Sequence, residues 1–137
     1  MAFLDRLDND LLAQRTALAV RVHRQELIAS NIANADTPHY KARDIDFKAA
    51  YENALSGRSD GALAMNRTET RHLPGNEGNP YAGAMRYRSE YQSAVDGNTV
   101  NMDIERSAFA DNAVRLEAML TFISGRFRNM QAAIQGQ

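Results

Sequence analysis

Asp44 and Asp46 are separated by one residue, a spacing at which two carboxylates could share acid–base work. In an extended segment both side chains would point to the same face, because side chains alternate along a strand. No nucleophile or general base lies near them in the sequence. We therefore predict that they are solvated or form salt bridges with Lys41 and Arg43. A small hydrolase that uses either carboxylate is the weakest of the functions considered.

The sequence also contains no motif for a metal site or a catalytic nucleophile. The three histidines, His23, His39 and His72, have no partner at metal-ligand spacing, and the chain contains no cysteine. No glycine-rich phosphate loop follows a predicted strand, and no serine or threonine stands in a nucleophile-elbow context. We predict a protein that is not an enzyme and has no metal, cofactor or small-molecule substrate.

Composition excludes further classes of partner. The chain has 137 residues, enough for one domain or one elongated unit, and a net charge of −1 from 16 basic and 17 acidic residues. Such a balance provides no field that would attract nucleic acid or anionic lipid. No apolar run approaches the roughly 20 residues that span a bilayer. The first thirty residues also lack the apolar block of a cleavable signal peptide.

Apolar residues are concentrated at the two ends of the chain. Residues 1–35 and 102–137 each hold twelve large aliphatic, Met or Phe residues, whereas the 54 residues of 48–101 hold seven. The middle cannot form a core alone. We therefore predict a mainly α fold in three parts: an N-terminal helix and motif in 1–47, an irregular Gly/Pro-containing segment in 48–101 with room for short strands, and a C-terminal helix in 102–137. The two long helices would pair as an antiparallel, coiled-coil-like hairpin.

Both terminal segments carry apolar seams that predict these helices. The C-terminal seam repeats at 4-3 spacing, which is typical of packing against another helix, and predicts a helix over 103–135 capped by Asp103 or Asn101. Its positions are Phe109, Ala113, Leu116, Leu120, Ile123, Phe127, Met130 and Ile134. The N-terminal stripe follows a 3.6-residue period and comprises Leu4, Leu7, Leu11, Leu18, Val22, Ala29 and Ile32.

Several apolar residues lie off these seams, namely Leu12, Val20, Leu27, Met119 and Phe122. Two helices paired with each other alone would leave them in water, and a monomer of this size should not expose so much apolar surface. Self-association is therefore favoured over a monomer whose middle segment folds back to cover them. Within that middle, residues 47–55 could form a helix, and residues 86–88 with Tyr91 could form a short extended piece.

The end of the first helix carries an unusual motif, Ser30-Asn31-Ile32-Ala33-Asn34-Ala35-Asp36-Thr37-Pro38, followed by Tyr40-Lys41-Ala42-Arg43. Asn and Asp favour helix ends, and the residue before a proline is pushed out of the helical region. The motif closely resembles the N-terminal signature of bacterial flagellar rod and hook proteins. The extension Asp44-Ile45-Asp46-Phe47 narrows the resemblance to subunits of the proximal rod. A second similarity, over residues 96–106 and Phe109-Ala110, matches the start of the C-terminal helix in that family.

The resemblance implies a structural subunit of the flagellar basal-body rod, the hollow drive shaft that crosses the periplasm. Its partners would be copies of itself, other rod subunits, a junction protein, and membrane-ring or export-gate components. Polar contacts of the signature residues would fix positions between subunits; these residues are Ser30, Asn31, Asn34, Asp36, Thr37, Pro38 and Tyr40. A soluble helical adaptor or secretion chaperone remains the alternative.

Two further points follow from the resemblance. Phe3 and Leu7 lie at i, i+4 on one helix face, and such an element in this family is associated with recognition by the type III export gate. This implies export without a cleaved signal peptide, although both residues could equally be core contacts.

The family usually has Gly where His39 stands and Asp where Asn101 stands. His39 therefore makes a turn that needs positive φ energetically less favourable than Gly would.

Overall fold

A computed structural model describes residues 2–56, 81–88 and 95–136 of the chain. In chain order it contains α1 (Ala2–Ala33), β1 (Arg43–Ile45), α2 (Phe47–Ser56), a 3₁₀ turn (Ala82–Ala84), β2 (Met85–Tyr87) and α3 (Met102–Gln135). Outside this description lie the side chains of Phe3, Leu4 and Leu7, the residues His72 and Tyr91, and residues 57–80 of the segment predicted to be irregular. Within the described residues, no helix is both long enough and apolar enough to cross a membrane.

The two long helices form the predicted antiparallel hairpin. Asn31 near the end of α1 contacts Glu105 near the start of α3, and Gln25, earlier in α1, contacts Asn112, later in α3. The position moves forward on one helix as it moves back on the other, which is the signature of antiparallel packing. The fold class predicted from the apolar seams is thus confirmed, with a two-stranded sheet between the helices in sequence.

The start of α3 is capped by Asn101, one of the two predicted caps. Its side-chain oxygen accepts hydrogen bonds from the backbone N–H groups of Asp103 and Ile104, at 3.0 and 3.3 Å. These N–H groups would otherwise lack an intrahelical acceptor. The carboxylates of Asp103 and Glu105 in the first turn have the favourable sign for the helix dipole. The helix ends at Gly136, whose φ of 73° suits a left-handed C-terminal residue.

The middle segment folds back onto α1 and builds a small core there. Asp46 accepts hydrogen bonds from the N–H groups of Lys48 and Ala49 and so starts α2. β1 and β2 pair antiparallel, with Asp44 opposite Arg86. The core cluster consists of Val20, Leu27, Ile45, Ala50 and Ala84, with Phe47, Ala49 and Tyr81 packed against it.

This core corrects the expectation for two of the residues that lie off the seams. Val20 and Leu27 are buried within the chain by α2 and the strands, as in the less favoured alternative in which the middle folds back. Leu12 and Phe122 remain exposed, as expected for a lone hairpin. Apolar periodicity on a single helix shows which positions are suited to burial, but not which of them the same chain covers: Val22, on the predicted stripe, is 42% exposed.

The C-terminal seam is divided between two faces of α3. Leu116, Ile123 and Met130 are partly buried, on the same stripe as the buried Glu105 and Asn112. The other large seam residues are exposed, with relative exposures of 39% for Phe109, 41% for Leu120, 53% for Phe127 and 87% for Ile134. An α-helix turns about 100° per residue, so these two sets lie roughly 40° apart around the helix, at the two edges of one seam. α1 therefore covers one edge of the apolar seam and leaves the other edge in water.

The link between α1 and β1 needs a left-handed residue, as the resemblance implied. His39 has φ of 61° and Gly97, which lies against it, has φ of 69°. A Cβ built on Gly97 would lie 3.0 Å from Nδ1 of His39, closer than side chains normally pack. The two residues thus meet at one tight crossing of the chain.

This crossing gives a stability prediction. His39→Gly should raise the free energy of unfolding by about 0.5–1 kcal/mol, because the left-handed conformation costs a residue with a Cβ about 1–2 kcal/mol and part of that gain is lost to the greater freedom of glycine when unfolded. Gly97→Ala should lower it by about 1–2 kcal/mol for the same backbone reason. Urea unfolding followed by circular dichroism measures both. A stabilising Gly97→Ala substitution would contradict the assigned backbone geometry.

Candidate functional site

Asn31 joins the end of α1 to the first strand. Its side-chain nitrogen donates to the carbonyl of Arg43 at 2.7 Å, and its side-chain oxygen accepts from the N–H of Arg43 at 3.0 Å. A primary amide thus takes the place that a neighbouring strand would occupy at the outer edge of β1. Asn31 is fully buried, and both of its polar groups are used within the chain. An aspartate could accept in the same way but could not donate.

Glu105 is the buried charge of the site. Its side chain is 1% exposed, and one oxygen accepts from the nitrogen of Asn31 at 3.3 Å. The other oxygen accepts from Nη1 of Arg88 at 2.8 Å. A carboxylate this deeply buried requires a paired cation and hydrogen bonds. Glu105 therefore connects α3 both to α1 and to the residue that follows β2.

Asp44 lies between two arginines. Nε and Nη2 of Arg24 donate to its two oxygens at 2.9 and 3.1 Å, and Nη2 of Arg88 donates to Oδ2 at 2.7 Å. Burial alone would raise the pKa of Asp44, but the hydrogen bonds from Arg24 and Arg88 outweigh it and hold the pKa below its ordinary value. The same hydrogen bond raises the pKa of Arg24. The ion-pair partners of Asp44 are therefore Arg24 and Arg88, and not the predicted Lys41 and Arg43.

The lowered pKa of Asp44 predicts a pH dependence of stability. The unfolded carboxyl has a pKa of about 3.9, and the folded one lies lower. The ion pairs therefore contribute their full stability above about pH 4, and this contribution falls as the pH drops through the folded pKa. Asp44→Asn should lower the free energy of unfolding at neutral pH by about 1–3 kcal/mol and flatten its fall below pH 4. Urea unfolding across pH measures both, with the exposed Asp36→Asn as a control that keeps the wild-type profile.

Asn98 holds the turn that follows α1. Its side-chain nitrogen lies 2.7–3.1 Å from the carbonyl oxygens of Asn34, Ala35 and Thr37, and its side-chain oxygen accepts from the N–H of Val100. These three carbonyls belong to the turn just beyond the end of α1 and are bound from a segment about 60 residues further along the chain. Asn98 is buried, as this role requires.

Asn112 fixes the middle of the helical pair. Its nitrogen donates to the backbone carbonyl of Arg21 at 3.0 Å and to the side-chain oxygen of Gln25 at 2.6 Å. Its oxygen lies 3.4 Å from Nη1 of Arg21. Asn112 is fully buried, and a buried polar pair of this kind sets the register of two helices, because a shifted register would leave it unsatisfied.

The remaining signature residues support the turn. Asn34 donates to the carbonyl of Ser30 at 2.8 Å and accepts from the hydroxyl of Thr37 at 3.2 Å. The hydroxyl of Tyr40 lies 3.2 Å from that of Ser30 and donates to Asn31 at 3.4 Å. Among the described residues, these side chains form their hydrogen bonds with other residues of the same chain. Asp36, Thr37 and Pro38 are exposed. Contacts between subunits through these exposed residues stay a prediction.

Four residues of the network were not identified from the sequence as site residues: Asn98, Asn112, Glu105 and Arg88. The sequence predicts Arg88 only as part of a short extended piece. For Asn112 the usable signal is a polar residue on the stripe of α3 that contains positions 105 and 116. Asn98 and Glu105 lie in the segment 96–106 that resembles the family, but no local pattern points to their contacts or to those of Arg88, because the partners are distant in the sequence.

The chemistry of this arrangement is structural. The carboxylates of Asp44 and Glu105 are engaged by arginines, and among the described residues no group of three His, Asp or Glu side chains is placed to hold a metal ion. A groove of about 400 Å³ lies beside the network between Tyr87 and Ile104. The network therefore joins α1, β1, β2 and α3 into one unit.

The sequence of this chain is similar to those of known flagellar rod proteins. The model of the family described as "Flagella basal body rod protein" matches residues 11–41, which cover α1 from Leu11 to its end and the signature turn. The chain is 44% identical over 134 residues to the flagellar basal body rod protein FlgB of Proteus mirabilis strain HI4320, covering 96% of this chain and 98% of the relative. It is 42% identical to FlgB of Escherichia coli K12, covering 96% and 97%. FlgB of Cereibacter sphaeroides is 42% identical over 122 residues, covering 88% and 90%.

These similarities extend over nearly the whole length of each relative. Identity above 40% over such a length leaves no room for a different fold or a partial domain match. The chain belongs to the FlgB family of flagellar basal body rod proteins.

Proposed function

We propose that this chain is a structural subunit of the proximal rod, which assembles through its terminal helices into the hollow shaft that transmits torque. The observation that carries the proposal is the distribution of polarity in the helical hairpin. Its internal interface contains buried polar groups, whereas large apolar side chains lie on its outside. A protein that functioned as a monomer would be expected to show the opposite arrangement.

The interface between α1 and α3 is polar at the level of the network. Arg21, Gln25 and Asn31 of α1 meet Glu105 and Asn112 of α3 there. Buried hydrogen bonds of this kind contribute modest net stability, but they exclude other registers. They support a hairpin whose helices are held at a fixed axial position, so that every copy presents the same outer surface.

The outer surface of α3 carries the apolar groups available for neighbours. Phe109, Leu120 and Phe127 form one exposed stripe, and Phe122 and Val114, at 61% and 69% exposure, lie on other faces. Val22 of α1 is 42% exposed and lies roughly half a turn round the helix from the buried Val20. Each such side chain contributes about 1.5–3 kcal/mol when it is fully buried. Packing of several copies around a tube would bury these residues and make the shaft rigid.

The partners of this surface are, in this proposal, copies of the chain and other rod subunits, with a junction protein and membrane-ring or export-gate components at the rod base. The subunit would be exported by the type III apparatus without a cleaved signal peptide and would act in the periplasmic part of the basal body. Recognition by the export gate is assigned to Phe3 and Leu7. In this proposal the assembly seams consist of the residues predicted from the sequence. The exposed half of the α3 seam contacts neighbouring molecules in the rod.

Purified basal bodies test the proposal directly. A tagged full-length chain should be present in them, and its deletion should leave basal bodies without a rod. Sedimentation and circular dichroism of the purified chain separate the rod subunit from a soluble adaptor. The rod subunit should be a weakly stable monomer in which the network holds one end of the hairpin folded and the outer ends of the helices order on assembly, whereas an adaptor should be fully and stably helical alone. Absence of the chain from basal bodies would overturn the proposal.

A further inference from the structure

Among the residues that the structure describes, the outer edge of β1 has a hydrogen-bond partner and the outer edge of β2 has none. The side chain of Asn31 covers the outer edge of β1 at Arg43. In the ladder, the N–H of Arg88 donates to the carbonyl of Ala42, and the N–H of Asp46 donates to the carbonyl of Ala84, both at 2.9 Å. The alternation of an antiparallel ladder then turns the N–H and C=O groups of Met85 and Tyr87 away from β1.

The outward groups of β2 have no hydrogen-bond partner in residues 2–56, 81–88 and 95–136. Met85, Arg86 and Tyr87 are all exposed, Tyr87 by 75%. Tyr87 of β2 and Arg88, which follows it, are among the residues that line the groove of about 400 Å³. An open row of backbone groups next to a groove is the arrangement by which sheets accept an added strand, in which main-chain hydrogen bonds hold the strand and a pocket selects its side chains.

Among the described residues, the unpaired side-chain charges of the two strands are positive. The guanidinium groups of Arg86 and Arg43 form no ion pair or hydrogen bond with any residue in the described ranges, whereas Arg24 and Arg88 are neutralised by Asp44 and Glu105. On the outer edge of β2, Arg86 occupies a non-hydrogen-bonded position, where side chains of paired strands lie closest. An acidic residue opposite Arg86 would therefore pair with it directly.

We propose that the outer edge of β2 binds an extended segment of another protein as a third strand. The segment carries an acidic residue opposite Arg86, flanked by apolar residues that pack on Met85 and Tyr87. A short edge strand with a central arginine discourages pairing with neutral or basic strands. The same arginine then selects an acidic one, so that it provides both the attraction and the discrimination.

Full-length chain and two synthetic peptides test this proposal. The probes are the blocked hexapeptide Thr-Val-Glu-Val-Thr-Val and its counterpart with Lys in place of Glu, titrated by NMR or calorimetry. The acidic peptide should bind at least about tenfold more tightly than the basic one, since 1.4 kcal/mol of ion-pair difference corresponds to tenfold. The amide of Tyr87 should become protected from hydrogen exchange in the complex. Arg86→Glu should reverse the preference between the peptides.

A proline substitution isolates the backbone contribution. Tyr87→Pro removes an outward N–H but leaves the Arg88 to Ala42 ladder bond in place, and Tyr87→Ala controls for the lost ring. Tyr87→Pro should weaken binding of the acidic peptide at least about tenfold beyond Tyr87→Ala, with an unchanged circular dichroism spectrum. Failure of both peptides to bind, equal binding of the two, or indifference to Tyr87→Pro would overturn the proposal. So would a dimer of the chain that Tyr87→Pro dissociates, because the occupant would then be a second copy.

Discussion

Leu120→Asp is expected to abolish rod assembly while leaving export of the subunit and the fold of its hairpin intact. Leu120 lies on the exposed half of the α3 seam, at 41% exposure, so a carboxylate there is solvated in the free chain. In an assembled tube the same carboxylate would be buried against an apolar neighbour, which costs several kcal/mol. Since each 1.4 kcal/mol is tenfold in an equilibrium, rods should fall by at least about a hundredfold. Swimming assays and electron microscopy of basal bodies measure the loss.

Ile123→Asp should also abolish assembly, but through a different step. Ile123 is partly buried on the face of α3 that meets α1, so the charge would first weaken the hairpin itself. Hydrogen exchange of the secreted subunit should therefore rise for Ile123→Asp and not for Leu120→Asp. Thr121→Asp, at an exposed polar position next to Leu120, is the matched control and should assemble normally. Normal motility of the Leu120→Asp strain would remove the proposed intermolecular face.

Asn31→Asp is expected to have the largest effect on folding. The substitution keeps the shape of the side chain but replaces a donor with an acceptor 3.3 Å from the carboxylate of Glu105 and 2.7 Å from the carbonyl of Arg43. Two repulsive contacts would replace two hydrogen bonds in a fully buried position. An uncompensated buried charge costs about 3–5 kcal/mol, a large part of the stability of a domain of this size. Urea unfolding of the purified chain measures the change.

Asn129→Asp provides the control for this prediction. Asn129 is exposed on α3, and the same chemical change there should shift the free energy of unfolding by about 0.5 kcal/mol or less. If Asn31→Asp prevents purification, Asn31→Leu, which leaves the Arg43 groups unpaired without adding charge, should still give a folded but weakened chain. Equal stabilities of Asn31→Asp and Asn129→Asp would show that the network does not hold the fold.

The long helices were predictable because their signals are local. The apolar period of residues 103–135 gave a helix that the structure shows as Met102–Gln135, and the predicted cap at Asn101 is confirmed. The short helix expected over 47–55 is observed as Phe47–Ser56, and the extended piece near residues 86–88 is β2. Each of these depends on residues within a few positions of one another, which is the range over which helix and strand periods operate.

The network was not predictable because its partners are distant in the sequence. Arg24, Asp44, Arg88 and Glu105 come from four different elements, and a charged residue on an amphipathic helix normally indicates a solvated face. The division of the α3 seam was missed for a related reason. A 4-3 repeat shows that eight positions are apolar on one side of a helix, but a single neighbouring helix can cover only part of that width.

The network also has a mechanical consequence. It clamps the hairpin where α1 ends and α3 begins, whereas α3 continues beyond Asn112 for roughly six further turns. The two helices are therefore fixed to each other at the end that contains the network, whereas their opposite ends can bend. A load applied along the helices reaches the network end through Asn112 and Glu105, so these residues would set the resistance of a lone subunit to bending. The stiffness of the opposite ends of the helices would have to come from adjacent copies.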